Sequence, residues 1–174
     1  KERYLKILKE KAISFLTLSD EAYPYLLKQI SDPPLVLYIK GIINNEWFLS
    51  EAKIAVVGTR KITAYGEAVT QMITRDLVEQ NLTIVSGLAL GVDSVAHQTA
   101  LSQKGKTIAV LGCGVDLIYP PQNRELYQKI VESNGCVVSE MPLSHWVSKA
   151  VFPARNRIIS GLSQGVVVTE GAID

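Results

Sequence analysis

Lys149, Phe152 and Arg155 follow one another at three-residue steps, and Asn156 and Arg157 come directly after. The pattern predicts a short helix over 156–162 whose first turn carries Arg155 and Arg157. A helix N-terminus holds about half a positive charge, so a cation there is disfavoured by about 0.3–1 kcal/mol. The placement makes sense if an anion sits above the turn, where free backbone N–H groups and guanidinium forks grip phosphate oxygens together. Cations interleaved with one aromatic ring suit a single-stranded polynucleotide, whose phosphates need charge and whose unstacked bases need a flat partner. A solvated basic loop with Phe152 in the core fits the spacing equally well.

Other glycine-rich turns carry further candidates. Gly58-Thr59-Arg60-Lys61 follows an apolar run at 54–57, with hydroxyls from Thr59, Thr63 and Tyr65 nearby. It stands where a dinucleotide-binding turn would stand but lacks the G-x-G-x-x-G spacing. The next run ends in Val85-Ser86-Gly87 and not in a ribose-binding acid, so no NAD or FAD cofactor is expected. Arg60 and Lys61 instead outline a phosphate cradle beside a glycine that permits close backbone approach. A second turn, Ser86 to Asp93, holds Gly87 and Gly91. It reads either as another wall of the same anion site or as tight helix–sheet packing with Asp93 or Ser94 as a cap. His97 has no ligand-spaced neighbour and reads as a structural hydrogen-bonding group. Tyr119-Pro120-Pro121 reads as a rigid turn, Asn123 as the cap of a following helix, Asp116 as a solitary acid, and Glu140 as a group able to orient one arginine. No P-loop, nucleophile elbow, H-E-x-x-H, paired cysteines or convergent carboxylates occur. The expectation is therefore binding without catalytic residues and without a metal.

The elements that must position these residues alternate from residue 53 onward. Strands are predicted at 54–57, 83–85, 107–111, 136–139 and 166–169, and helices at 66–80, 92–104, 124–133 and 156–162. Short, almost continuously apolar runs between amphipathic stretches imply a doubly wound, mainly parallel α/β sheet, with ligands at the carboxyl ends of its strands. Residues 1–50 read as a small N-terminal extension with an opening helix and two short strands, and residues 51–174 as the binding domain. The last strand comes so near residue 174 that the chain looks C-terminally truncated. With 47% hydrophobic residues, a net charge of +1 and a mean hydropathy of +0.16, the composition is globular, and any nucleic-acid affinity must come from local clustering. No run approaches the roughly 20 apolar residues of a membrane span. Cys113 and Cys136 are two isolated cysteines in apolar surroundings. They read as buried thiols, and the cytoplasm is the expected compartment.

In order, Gly58-Thr59-Arg60, the 86–93 turn with Ala96-His97, Tyr119-Pro120 with Asn123, Ser139-Glu140, and Phe152-Pro153-Ala154-Arg155-Asn156-Arg157 closely resemble the DprA/Smf family. Tyr23-Pro24 and the 32–41 segment resemble that family's N-terminal extension. The resemblance spans nearly the whole chain. It implies an extended Rossmann-like domain that binds and protects single-stranded DNA in natural transformation (competence) and DNA recombination, and that loads the RecA recombinase. It further implies a homodimer without catalytic activity. The family's DNA pocket would fall on Arg60, the 86–91 loop, Lys149, Phe152, Arg155 and Arg157, with Phe152 stacking on a base. The main rival is a Rossmann-like phosphoribohydrolase of the lysine-decarboxylase-like group. Its glycine-rich turn is missing from Val168-Thr169-Glu170-Gly171-Ala172, which keeps a single acid.

Overall fold

The computed structural model describes residues 2–41, 48, 52–133, 135–147 and 151–171. In chain order the elements are α1 (Glu2–Glu10), β1 (Ile13–Thr17), α2 (Tyr25–Lys28), β2 (Val36–Gly41), β3 (Lys53–Gly58) and α3 (Ala64–Glu79). They continue with β4 (Thr83–Ser86), α4 (Val92–Ser102), β5 (Thr107–Val110), a 3₁₀ turn (Pro121–Asn123) and α5 (Arg124–Glu132). The last are β6 (Gly135–Ser139), α6 (Val151–Gly161) and β7 (Gly165–Glu170). The described strands form one seven-stranded sheet in the order β1-β2-β6-β5-β4-β3-β7. β6, β5, β4, β3 and β7 run parallel, while β2 pairs antiparallel with β6 and β1 with β2. The α/β, Rossmann-like sheet is thus as expected, and the two strands of the N-terminal extension lengthen it on the β6 side.

Alternation along the strands divides the core between two faces. Ala55, Val85, Ile108, Val110 and Val138 pack on one face with Leu27 of α2, Ile158 of α6 and Leu162 just after it. On the other face Ala109 and Val137 meet Leu8, Leu126 and Ile130 of α1 and α5, and Val56 and Ile84 meet Val92, Ala96 and Ala100 of α4. From β3 the chain steps outward through β4 and β5 to β6, then crosses back to β7 on the far side of β3. That reversal leaves a crevice at the carboxyl ends of the strands around β3, the usual ligand position in such sheets.

One element differs in a way that matters for the site. Helix α6 begins at Val151 and not at 156. Pro153 lies in its first turn, where a backbone N–H needs no intrahelical partner, so proline does not oppose the helix there. Arg155 and Arg157 consequently fall in the second turn, and the charge argument for an anion above a first-turn arginine pair does not hold.

Candidate nucleic-acid interface

The carboxyl edge of the sheet brings three predicted loops together. Arg60, exposed on the loop after β3, lays its guanidinium carbon 5.0 Å from the centroid of Phe152 on α6. Tyr119, from the loop after β5, stands on the same ring at 5.8 Å between centroids and 39° between planes. Beneath this cation–aromatic group runs a cleft of about 490 Å³, walled by the 87–90 turn, Leu111–Cys113, Pro120 and Val147. A second groove of about 940 Å³ lies between Gly58, Arg60, Asn156, Ser160 and Val166, sharing the Phe152 and Arg155 wall. Lys61 is exposed beside Arg60, and its backbone N–H donates to the Thr59 hydroxyl at 3.2 Å. Lys149 lies outside the described residues.

The other basic residues turn inward. Arg155 is 5% exposed. Its Nη1 donates to the Gly87 carbonyl at 2.7 Å and also to the Val110 carbonyl, tying the ends of β4 and β5 together. Its Nε reaches the Asn156 side-chain oxygen at 3.3 Å, leaving Asn156 itself exposed to the groove. A Cβ on Gly87 would come within 2.5 Å of that guanidinium, and one on Gly91 (φ +78) within 2.3 Å of the Thr59 carbonyl. At both positions the space that glycine leaves is filled by protein. Arg157 makes a fork with Glu140, at 2.9 Å through Nη1 and 2.7 Å through Nη2, and its Nε reaches the Asp32 carboxylate at 3.0 Å. Glu140 therefore orients an arginine, as expected of it.

The polar groups under the cleft hold its walls. Ser86 is buried and donates its hydroxyl to the Val56 carbonyl at 2.6 Å. Asp93 accepts from the N–H groups of Gly87 (3.1 Å) and Ala89 (3.2 Å). Burial pushes the Asp93 carboxyl above its ordinary range, against the pull of Arg155 and these hydrogen bonds. Burial likewise lowers Arg155, with Asp93 opposing. Asn123 is not a side-chain cap. Its amide donates to the carbonyls of Leu88 (2.8 Å) and Ala89 (3.3 Å) and to the Ser94 hydroxyl (2.8 Å), stapling the 86–91 loop to α5. His97 is fully buried, with Nδ1 2.7 Å from the Thr107 hydroxyl, and burial first and Arg155 second lower its pKa to about 3. Asp116 is not solitary: Lys11 donates to it at 2.7 Å and the Ser144 N–H at 2.8 Å. Burial raises the Cys113 thiol to about 11, and Cys136 is fully buried.

Tyr119 is the site residue that sequence reasoning missed. Tyr119-Pro120-Pro121 reads as a rigid turn and as a family motif, and neither reading singles out the exposed Tyr119 ring as a contact for Phe152. Among the described residues no group of three or more His, Cys, Asp or Glu is placed to hold a metal ion, and no helix is long and apolar enough to cross a membrane. The single acid of the phosphoribohydrolase comparison, Glu170, accepts from the Thr63 N–H at 2.9 Å and the Thr63 hydroxyl at 2.7 Å.

Comparison with known proteins gives a consistent picture. A family model described as DNA recombination-mediator protein A matches residues 14–174. Protein Smf of Synechocystis sp. is 45% identical over 169 residues, 97% of this chain and 42% of that protein. DNA processing protein DprA of Bacillus subtilis is 41% identical over 170 residues, 97% of this chain and 56% of that one. The chain thus spans about half the length of these relatives. The X-ray structure of DNA processing protein A from Streptococcus pneumoniae matches with a TM-score of 0.84 at 39% identity, covering 96% of this chain and 59% of its own. DNA processing protein A from Helicobacter pylori, described with a single-stranded DNA binding mode, matches with a TM-score of 0.82 at 33% identity, covering 93% and 71%.

Proposed function

Because the chain belongs to the DNA recombination-mediator protein A family, we propose that it binds single-stranded DNA at the carboxyl edge of its sheet, protects that strand, and hands it to the RecA recombinase during natural transformation. The observation that carries the reading is the exposed Arg60 guanidinium on the Phe152–Tyr119 pair. A cation for phosphate and a ring for an unstacked base stand there within one contact distance, which is what a single strand requires. The Helicobacter pylori relative, described by its single-stranded DNA binding mode, supports the choice of ligand. On this reading Arg60, Lys61, Lys149, Phe152 and Asn156 meet the strand. Ser86, Gly87, Gly91, Arg155 and Arg157 hold the walls that present them. Homodimerisation and a cytoplasmic setting belong to the same proposal.

The test is direct binding of oligo-dT against competition by AMP. Tight oligonucleotide binding that millimolar AMP barely disturbs is the expected result. Comparable affinity for AMP, or release of a free base from it, would replace this reading with a nucleotide-processing one.

A further inference from the structure

Glu170, at the end of β7, holds the loop that carries Arg60 at both ends. Its backbone carbonyl accepts the Thr59 N–H at 2.8 Å. Its carboxylate accepts the Thr63 N–H at 2.9 Å and the Thr63 hydroxyl at 2.7 Å, and that hydroxyl in turn caps α3 by accepting the Gly66 N–H at 3.0 Å. A Cβ on Gly66 would fall 2.1 Å from Glu170 Oε2, so any side chain there would collide with this carboxylate. In nucleotide-binding members of this architecture the N-terminus of the first crossover helix receives a phosphate. Here a side-chain carboxylate fills the same electrostatic position, and the residues between its two anchor points are Arg60, Lys61 and Ile62.

We propose that Glu170 is a positioning residue for DNA binding: as the resident anion at the N-terminus of α3, it fixes the Thr59–Thr63 loop so that Arg60 lies over Phe152. The inference rests on the single-stranded DNA reading for its consequence, but the loop geometry itself is measurable without DNA. It also reverses a simple electrostatic expectation. Removing an acid close to a polyanion site should tighten binding by charge alone, whereas loss of an anchor releases Arg60 and weakens it.

The experiment uses the wild-type chain and Glu170→Ala, Glu170→Gln, Arg60→Ala and the Arg60→Ala/Glu170→Ala double variant, with oligo-dT as the probe. Glu170→Ala should weaken binding by about three- to fivefold, the worth of one exposed cation–aromatic contact. Glu170→Gln keeps an acceptor for Thr63 and should restore binding to within about twofold of wild type. The double variant should be no weaker than Arg60→Ala, since Glu170 acts through Arg60. In the free protein, NMR should show the Arg60 side-chain protons shifted upfield by the Phe152 ring in wild type and Glu170→Gln, and released from it in Glu170→Ala. Glu170→Ser is measured in parallel, so that a folding failure of the alanine variant leaves the test standing. Tighter or unchanged binding by Glu170→Ala, additive losses in the double variant, or an unmoved Arg60 signature would each overturn the inference. If even the wild-type chain fails to bind oligo-dT, the DNA reading falls, and the ring-shift measurement alone decides the role of Glu170.

Discussion

Arg60 and Arg155 line the same cleft and do different work, because one is exposed and the other is 5% exposed. Arg60 keeps its donors toward solvent while one face rests on Phe152. Replacing it with alanine should weaken oligo-dT binding and flatten its salt dependence, leaving the melting temperature nearly unchanged. Phe152→Ala should cost about 1–3 kcal/mol of binding free energy if the ring stacks on one base, with a salt slope close to wild type. Should the ring serve the core alone, the melting temperature would fall and the affinity of the folded protein would stay put. Arg155→Ala belongs to a third class. It strands the carbonyls of Gly87 and Val110 in a buried place, and each unsatisfied group costs about 1–3 kcal/mol. Denaturant unfolding should therefore register Arg155→Ala as a stability variant first. A full-stability Arg155→Ala that simply loses DNA would contradict the buried geometry.

The elements that carry these residues were largely legible, and the exceptions have identifiable physical causes. Apolar runs such as 83–85 and 136–139 give the parallel strands because both faces are covered, so every position tends to be buried. Helix α6 starts five residues earlier than its predicted bound of 156, and Pro153, which would break a helix interior, is tolerated because it lies in the first turn. Asn123 sits at the cap position of α5, yet its amide serves the 86–91 loop, a long-range contact that local spacing does not encode. His97 was readable as structural because it lacks ligand-spaced neighbours, though its depth was not. That depth has a consequence for α4. Buried and held neutral with a pKa of about 3, His97 takes up its proton far below the ordinary histidine value near 6.5. Between those two values the unfolded chain binds more protons at this position than the folded one does, so stability rises with pH through the window and falls on acidification. The contribution reaches about 1.4 kcal/mol per pH unit. Unfolding free energies measured from pH 7 to pH 4.5 should show this slope, and His97→Gln should flatten it. An identical slope in the variant would mean that His97 is not the group responsible.

Across the whole molecule the net charge is only +1, so no general field draws in a polyanion and affinity must come from the few cations at one sheet edge. That sets a modest salt response. Two or three phosphate contacts on a single strand give a log–log slope of about −1.4 to −2.1, or about a tenfold loss in affinity between 50 and 200 mM salt. The fold also sets strand preference. The Phe152–Tyr119 pair is presented by α6 and the loop after β5 above a cleft of about 490 Å³, walled by the ends of β4 and β5. To use both the cation and the rings, a nucleic acid must turn a base out of its stack while its phosphate meets Arg60. A single strand does this by rotating a few backbone bonds. A duplex, with a persistence length of about 150 bp and its bases already paired, must be bent or opened first. The chain should therefore prefer single-stranded DNA by at least about tenfold, or roughly 1.4 kcal/mol. An Arg60→Ala/Phe152→Ala variant should lose most of that preference, because both groups that reward an unstacked nucleotide are gone. Competition of labelled oligo-dT with unlabelled duplex at equal nucleotide concentration measures it. Duplex that displaces the single strand as effectively as unlabelled oligo-dT would show that the edge binds phosphate alone and that the rings play no part in recognition.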